Sequence, residues 1–239
     1  MKEFKKMKHY EIAFITILLD GGALRLKNPD DPEGLFTLKS GRRSPFFMNL
    51  GQLNSGNELN QIGDAYASAA FQYFGEDIDI FFGPAYKGIP LATATSIRYD
   101  QYATSRNTHY CSNRKEIKDH GDSGILLGAK PKDGDKVVIV EDVTTSGKSI
   151  DETIPILRAQ ADVDIKGLIV AFNRLEYGHD KTKTALEEVA EKYDIETHAI
   201  IDMEDVLTYL SHEGELSPET LMKFQDYYAQ YGPEGRNIC

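Results

Sequence analysis

Cysteine is scarce in this chain. Cys111 and Cys239 are its only two in 239 residues, too few for a disulfide framework and without metal-ligand spacing. That usage predicts a reducing compartment. Long apolar runs are also missing: no stretch reaches the roughly 20 residues needed to span a bilayer, so no membrane role is expected. Lys2, Lys5, Lys6 and Lys8 ahead of Ile12 to Leu19 give the outline of a signal peptide. However, Glu11 interrupts the border, Asp20 ends the run and no small-x-small cleavage site follows. A buried amphipathic helix over Phe4 to Leu19 is the better reading, and the cytoplasm the expected location. Positive charge is in deficit too. A formal net charge of −11 argues against broad nucleic-acid binding, which needs clustered Lys and Arg. It leaves room for a small polyanion held by a local group of cations.

The remaining composition, 41% hydrophobic and 27% charged, is ordinary for a globular enzyme. At this length one large domain is expected, and it buries roughly 70% of the surface of the unfolded chain. No repeat or low-complexity segment breaks it. A loop of turn formers spans Asn28 to Gly34, and two short strands are predicted in Phe36 to Leu50 around Ser40-Gly41. Glu58 to Phe74 has helical spacing. A different rhythm then begins, with short apolar runs alternating with helical stretches. Strands are predicted at Ile78 to Phe82, Val137 to Val140, Lys166 to Phe172 and Ile195 to Ile201. Helices are predicted at Ile89 to Arg98, Ile150 to Ala159, Thr184 to Lys192 and Met203 to Leu210, with a last one from Pro218 to Tyr228. This alternation predicts an α/β fold with a central parallel sheet flanked by helices. Ligands of such sheets bind beyond the carboxyl ends of the strands, at the switch in strand order. The residues just after Phe82, Val140 and Phe172 are therefore the ones to examine.

The strongest motif is Val137 to Ser149, VVIVEDVTTSGKS. An apolar strand ends at two adjacent acids, Glu141 and Asp142. A short loop of Val143, Thr144, Thr145, Ser146 and Gly147 then leads through Lys148 and Ser149 into a helix. Small hydroxyl residues and a glycine let backbone N–H groups converge on a phosphate, and the helix N-terminus adds partial positive charge. The acids are placed to accept hydrogen bonds from vicinal ribose hydroxyls. A strand–turn–helix with ordinary capping residues is the competing explanation. A P-loop is excluded, because the first glycine of GxxxxGK[ST] would fall on Asp142.

This motif resembles the phosphoribosyl diphosphate (PRPP) motif of type I phosphoribosyltransferases. The resemblance implies that Glu141 and Asp142 hold the ribose hydroxyls and that Thr144 to Ser149 hold the 5′-phosphate. Three further stretches are similar to orotate phosphoribosyltransferases. Gly83 to Gly88, GPAYKG, implies diphosphate binding by Tyr86 and Lys87 and a non-proline cis peptide between Ala85 and Tyr86. Asn113 to Gly124, NRKEIKDHGDSG, concentrates Arg114, Lys115, Lys118 and His120 in what reads as a charged loop. It is similar to the family's catalytic loop, which reaches the neighbouring subunit, so a homodimer is implied, with Lys118 the foremost catalytic candidate beside Asp142, Lys87 and His120. Phe36 to Gly51, FTLKSGRRSPFFMNLG, implies that Lys39 contacts PRPP while Phe47 and Met48 flank the orotate ring. Arg174, after the strand ending at Phe172, matches the orotate-binding arginine, and Thr145 is placed to serve both ligands.

Two departures stand out. Met48 replaces the aromatic residue of many members. Lys148 stands where pyrimidine enzymes usually carry a small residue, and Gly-Lys there is more typical of purine-salvage relatives. The Lys39 segment and the cationic loop weigh toward orotate. The resemblance implies a type I phosphoribosyltransferase-like fold over residues 1–239, with a core at about 60–205. A small hood is implied at about 1–55, joined by C-terminal segments. It also implies Mg2+ held mainly by substrate and water near Glu141 and Asp142. A purine-salvage transferase and a non-catalytic PRPP-binding regulator are the competing functions.

Overall fold

The computed structural model describes residues 7–27, 34–38, 40–103, 107–118, 124–144 and 147–236, without the side chains of 117 and 118. The N-terminal helix α1 runs His9–Asp20 and not from Phe4, residues 1–6 lying outside the described part. Met7 and Lys8 are non-helical because Glu11 caps the start, accepting the Lys8 N–H at 2.7 Å. Phe14, Ile15, Ile17 and Leu18 are buried, so the run that mimics a signal sequence is a core-facing helix stripe.

Four short strands follow: β1 Leu24–Leu26, β2 Phe36–Thr37, β3 Arg43–Ser44 and β4 Phe46–Met48. The expectation of two strands in Phe36 to Leu50 is corrected to three. β2 and β3 form the hairpin around Gly41, while β4 pairs antiparallel with β1, a strand too short to show a sequence period. After these come α2 Gly56–Phe74, β5 Ile80–Phe82, α3 Gly88–Tyr102, β6 His109–Lys118, β7 Gly124–Gly128, β8 Lys136–Glu141 and α4 Lys148–Gln160. The chain ends with β9 Asp164–Asn173, α5 Ala185–Tyr193, β10 Glu196–Asp202, α6 Met203–His212 and α7 Pro218–Tyr231.

The main sheet has the order β10-β9-β8-β5-β6-β7. Its pairs are parallel except β6–β7 at one edge, in keeping with the expected central parallel sheet. From β5 the chain goes outward to β6 and β7, then returns to β8 on the other side of β5. The switch in strand order therefore lies between β5 and β8, and a crevice opens beyond their carboxyl ends.

Alternation along the strands builds two cores. Val138, Val140 and Phe81 point to the face covered by α1, α2, α3 and α6, whereas Val137, Ile139 and Phe82 point to the face of α4 and α5. Phe46 ties the N-terminal strands to the first core, its ring 6.0 Å from that of Phe172 and 5.9 Å from that of Phe224 on α7. Among the described residues no helix is long and apolar enough to cross a membrane.

Candidate active site

Two loops meet at the switch point. The first leaves β5 as Gly83-Pro84-Ala85-Tyr86-Lys87. Its two glycines lie back to back: a Cβ on Gly83 would stand 1.9 Å from the Gly88 carbonyl oxygen, and one on Gly88 would stand 2.5 Å from the Gly83 carbonyl carbon. Only glycine fits this crossing. The Ala85–Tyr86 peptide is cis, as the resemblance implies. The side chain of Asn113 on β6 braces the loop, its Oδ1 accepting the Ala85 N–H at 2.8 Å. Tyr86 is left 70% exposed.

The second loop leaves β8. Glu141 and Asp142 are both buried at the strand end, and Tyr66 of α2 donates to the Glu141 carbonyl at 2.6 Å. The Asp142 N–H is held by Glu141 Oε1 at 3.1 Å and the Val143 N–H by Asp142 Oδ1 at 2.8 Å. Thr144 Oγ1 accepts the Gly147 N–H at 3.1 Å, and Gly147 enters α4 with φ +68°, the left-handed region that suits glycine. Burial, then the adjacent Asp142 charge, pushes the Glu141 carboxyl up to about 7, against a hydrogen bond from Ser149. Its own burial, then the same two acids, push the Tyr66 hydroxyl well above its usual range.

Lys87 joins the loops. Its Nζ donates to Asp142 Oδ2 at 2.7 Å, directly across the switch point. A cavity of about 150 Å³ opens beside this pair, lined among others by Tyr86, Lys87, Asn113, Lys115, Glu141 and Ser149. On its rim Lys115 Nζ lies 3.7 Å from Glu152 Oε2 of α4. On the other side of Lys87 a smaller cavity of about 80 Å³ is lined by Asp142 and apolar side chains including Leu50, Leu53 and Leu91. Phosphate chemistry suits the arrangement. The cations Lys87 and Lys115 face an opening flanked by a helix N-terminus, and two carboxylates stand where hydroxyls would dock.

Of the predicted residues, the structure thus brings together Tyr86, Lys87, Lys115, Glu141, Asp142 and Ser149. Thr144 and Gly147 shape the loop, Lys148 is exposed at the start of α4, and Val143 packs against the first core. Lys39, His120, Thr145 and Ser146 lie outside the described residues, as does the side chain of Lys118. The reading of Asn113 to Gly124 as one loop is corrected. Asn113 to Lys118 extend β6, and Gly124 opens β7, pairing Asn113 with Leu126 and Lys118 with Gly124; residues 119–123 are outside the described part. Backbone pairing along a sheet edge tolerates charged side chains, so polarity there gave no strand signal. Arg114 uses its Nε to hold the Leu126 carbonyl at 3.0 Å across that ladder.

The acceptor-side residues form a separate group. Phe47 tilts against Phe36 with centroids 5.7 Å apart, Arg25 sits 5.2 Å over its ring, and Met48 packs on the first core. Arg174 is buried just after the end of β9. Its Nε donates to Glu176 Oε1 at 2.7 Å and its Nη2 to Ser44 Oγ at 3.2 Å. Burial opposes the charge of this guanidinium, but the Glu176 charge and hydrogen bond outweigh it and hold its pKa above the usual arginine value. Phe47, Met48 and Arg174 line neither cavity described above. Sequence reasoning missed Asn113, Tyr66 and Glu176, each of which has a partner distant in the chain.

The phosphoribosyl transferase domain model matches residues 49–202. An orotate phosphoribosyltransferase from Agathobacter rectalis is 47% identical over 232 residues, covering 95% of this chain and 99% of its own. One from Lachnoclostridium phytofermentans is 47% identical over 233 residues, covering 95% and 100%. The crystal structure of orotate phosphoribosyltransferase from Francisella tularensis superposes with a TM-score of 0.76 at 31% identity, over 92% of this chain and 98% of that one. The fold is the type I phosphoribosyltransferase fold, and by identity over nearly its full length the chain belongs to the orotate phosphoribosyltransferase family.

Proposed function

We propose that this chain transfers the ribose 5-phosphate group of PRPP to orotate, giving orotidine 5′-monophosphate and diphosphate in pyrimidine biosynthesis. The observation that carries this reading is the Lys87–Asp142 contact across the switch point, beside a cavity that also takes in Glu141, Lys115 and Ser149. The orotate nitrogen attacks the anomeric carbon as the bond from that carbon to the diphosphate oxygen breaks, with inversion. Positive charge develops on the sugar ring and negative charge on the leaving group. Catalysis is therefore mostly positioning and charge neutralisation.

Glu141 and Asp142 accept hydrogen bonds from the ribose hydroxyls. The Thr144 to Ser149 loop, with Thr145 and Ser146, cradles the 5′-phosphate at the N-terminus of α4. Lys87 and Lys115 leave their carboxylate partners for the diphosphate. Both lysines are well exposed, so each can swing to an incoming polyanion, and the Lys115–Glu152 pair, open to solvent on both sides, contributes only about 0–1 kcal/mol. Arg114, Lys118, His120 and Lys39 add positive charge, Lys118 as the main catalytic group of the segment after Asn113. Arg174, Phe47, Met48 and Thr145 take the orotate.

Mg2+ fits the donor set. Glu141 and Asp142 supply hard oxygens beside the cavity, and among the described residues no three acidic, His or Cys side chains cluster into a closed cage. When bound, the ion neutralises diphosphate charge, and these two acids would hold it through water and substrate oxygens. A cytoplasmic homodimer, with the 113–124 segment reaching the partner's site, belongs to the same proposal. Ile97, 60% exposed on α3, supplies apolar surface for such contact. The test is spectrophotometric. With PRPP and Mg2+, orotate absorbance should fall, while hypoxanthine, guanine and adenine spectra stay constant. Turnover of a purine base instead, or none at all, refutes the proposal.

A further inference from the structure

A buried hub lies behind the acceptor side of the site. The carboxylate of Glu176, just after β9, is only 9% exposed. Its Oε1 receives Arg174 Nε at 2.7 Å, Arg174 Nη2 at 2.6 Å and the Tyr227 hydroxyl at 2.6 Å. Its Oε2 receives Arg42 Nη1 at 2.7 Å. Three chain segments far apart in sequence converge on this one side chain: the β2–β3 hairpin through Arg42, the end of β9 through Arg174, and α7 through Tyr227.

The hub leaves Arg174 half used. Glu176, Ser44 and Tyr227 engage its Nε and Nη2, and the Phe46 ring lies 4.0 Å from the guanidinium carbon. No described residue accepts from Nη1, which carries two N–H donors. The fork is thus locked on one edge and open on the other. Ser44 extends the lock, since its hydroxyl also donates to the Phe46 carbonyl at 2.8 Å, next to Phe47. Ring-stacking residue and guanidinium are held by one hydrogen-bonded chain.

We infer that Glu176 is a positioning residue for base recognition, clamping Arg174 so that its Nη1, which no described residue engages, meets a planar acceptor bearing a carboxylate and ring carbonyls. This rests on the reading that Arg174 holds orotate. A negative charge is needed at this place because two guanidinium groups converge on it; an amide would turn an N–H toward one of them. The Tyr227 hydroxyl makes the C-terminal helix α7 part of the base site without touching the base.

Steady-state kinetics of Glu176→Gln, Tyr227→Phe and Arg174→Lys against wild type, varying each substrate separately, provides the test. Glu176→Gln should raise the KM for orotate about tenfold or more, as expected for loss of a charge-assisted contact. The KM for PRPP should stay within about twofold, since a locked fork does not reach the phosphate cavity. Tyr227→Phe should raise the orotate KM less, and Arg174→Lys at least as much as Glu176→Gln. A merely structural role would lower the melting temperature and active fraction without separating the two KM values. A folded Glu176→Gln with unchanged orotate KM, or with both KM values raised alike, overturns the inference. If Glu176→Gln does not fold, Tyr227→Phe decides, and an unchanged orotate KM there overturns it. A wild-type enzyme that ignores orotate overturns the functional reading itself, and the inference with it.

Discussion

The switch-point loops and the acceptor-side hub both bring acids against cations, but they do it in opposite ways. At the switch point Lys87 and Lys115 are well exposed and each meets one carboxylate. At the hub Arg174 and Glu176 are both buried and joined through Nε and Nη2 to one carboxylate oxygen, which Tyr227 also reaches. A lysine open to solvent can swing to a new partner, whereas breaking a pair buried on both sides leaves an uncompensated charge out of water. The first geometry suits a site that must release its cations to an incoming diphosphate. The second suits one that must hold a planar fork still. Exchange and rigidity are thus divided between the two ligands of one reaction.

Stability measurements put this contrast to the test. Glu176→Ala strands two guanidinium groups, one of them buried, and should cost roughly 3–5 kcal/mol of unfolding free energy in denaturant titration. A loss below about 1 kcal/mol would mean that the hub is not a closed pair. The next effect depends on pH. Burial and Asp142 raise the Glu141 carboxyl to about 7 from an ordinary 4.5. A raised acid gives stability that is fully present below its unfolded pKa and is lost as pH rises through the folded one. Wild type should therefore lose stability relative to Glu141→Gln between about pH 4.5 and 7, as seen in melting temperatures; parallel curves would show that Glu141 is not strained. The smallest effect belongs to the Lys115–Glu152 pair, which is open to solvent on both sides. Lys115→Met should change unfolding free energy by no more than about 1 kcal/mol.

Legibility in the sequence followed the range of the interactions. β8 and its loop were readable because an apolar run, two acids, a glycine and a helix start lie within one continuous stretch, each with a local physical reason. The α/β alternation and the positions of α2, α4, α5 and α6 were readable on the same grounds. β1 and the β6–β7 edge were not, since their strands are defined by partners and carry either too few residues or too much charge to show a period. The Ala85 N–H is met by Asn113, and the Glu141 carbonyl by Tyr66; nothing adjacent in the chain announces either contact. Glu176 sits two residues from Arg174 and still went unread, because its role depends on Arg42 and Tyr227, which the fold alone delivers.

Everything said of catalysis turns on Lys87 giving up Asp142 for a diphosphate. Initial rates of Lys87→Met with PRPP varied at saturating orotate address that exchange directly. Loss of one preorganised cation at the leaving group should lower kcat/KM for PRPP by about 10²–10³-fold in a protein that remains folded. A variant that keeps wild-type kcat/KM would contradict the exchange and detach the switch-point contact from the reaction.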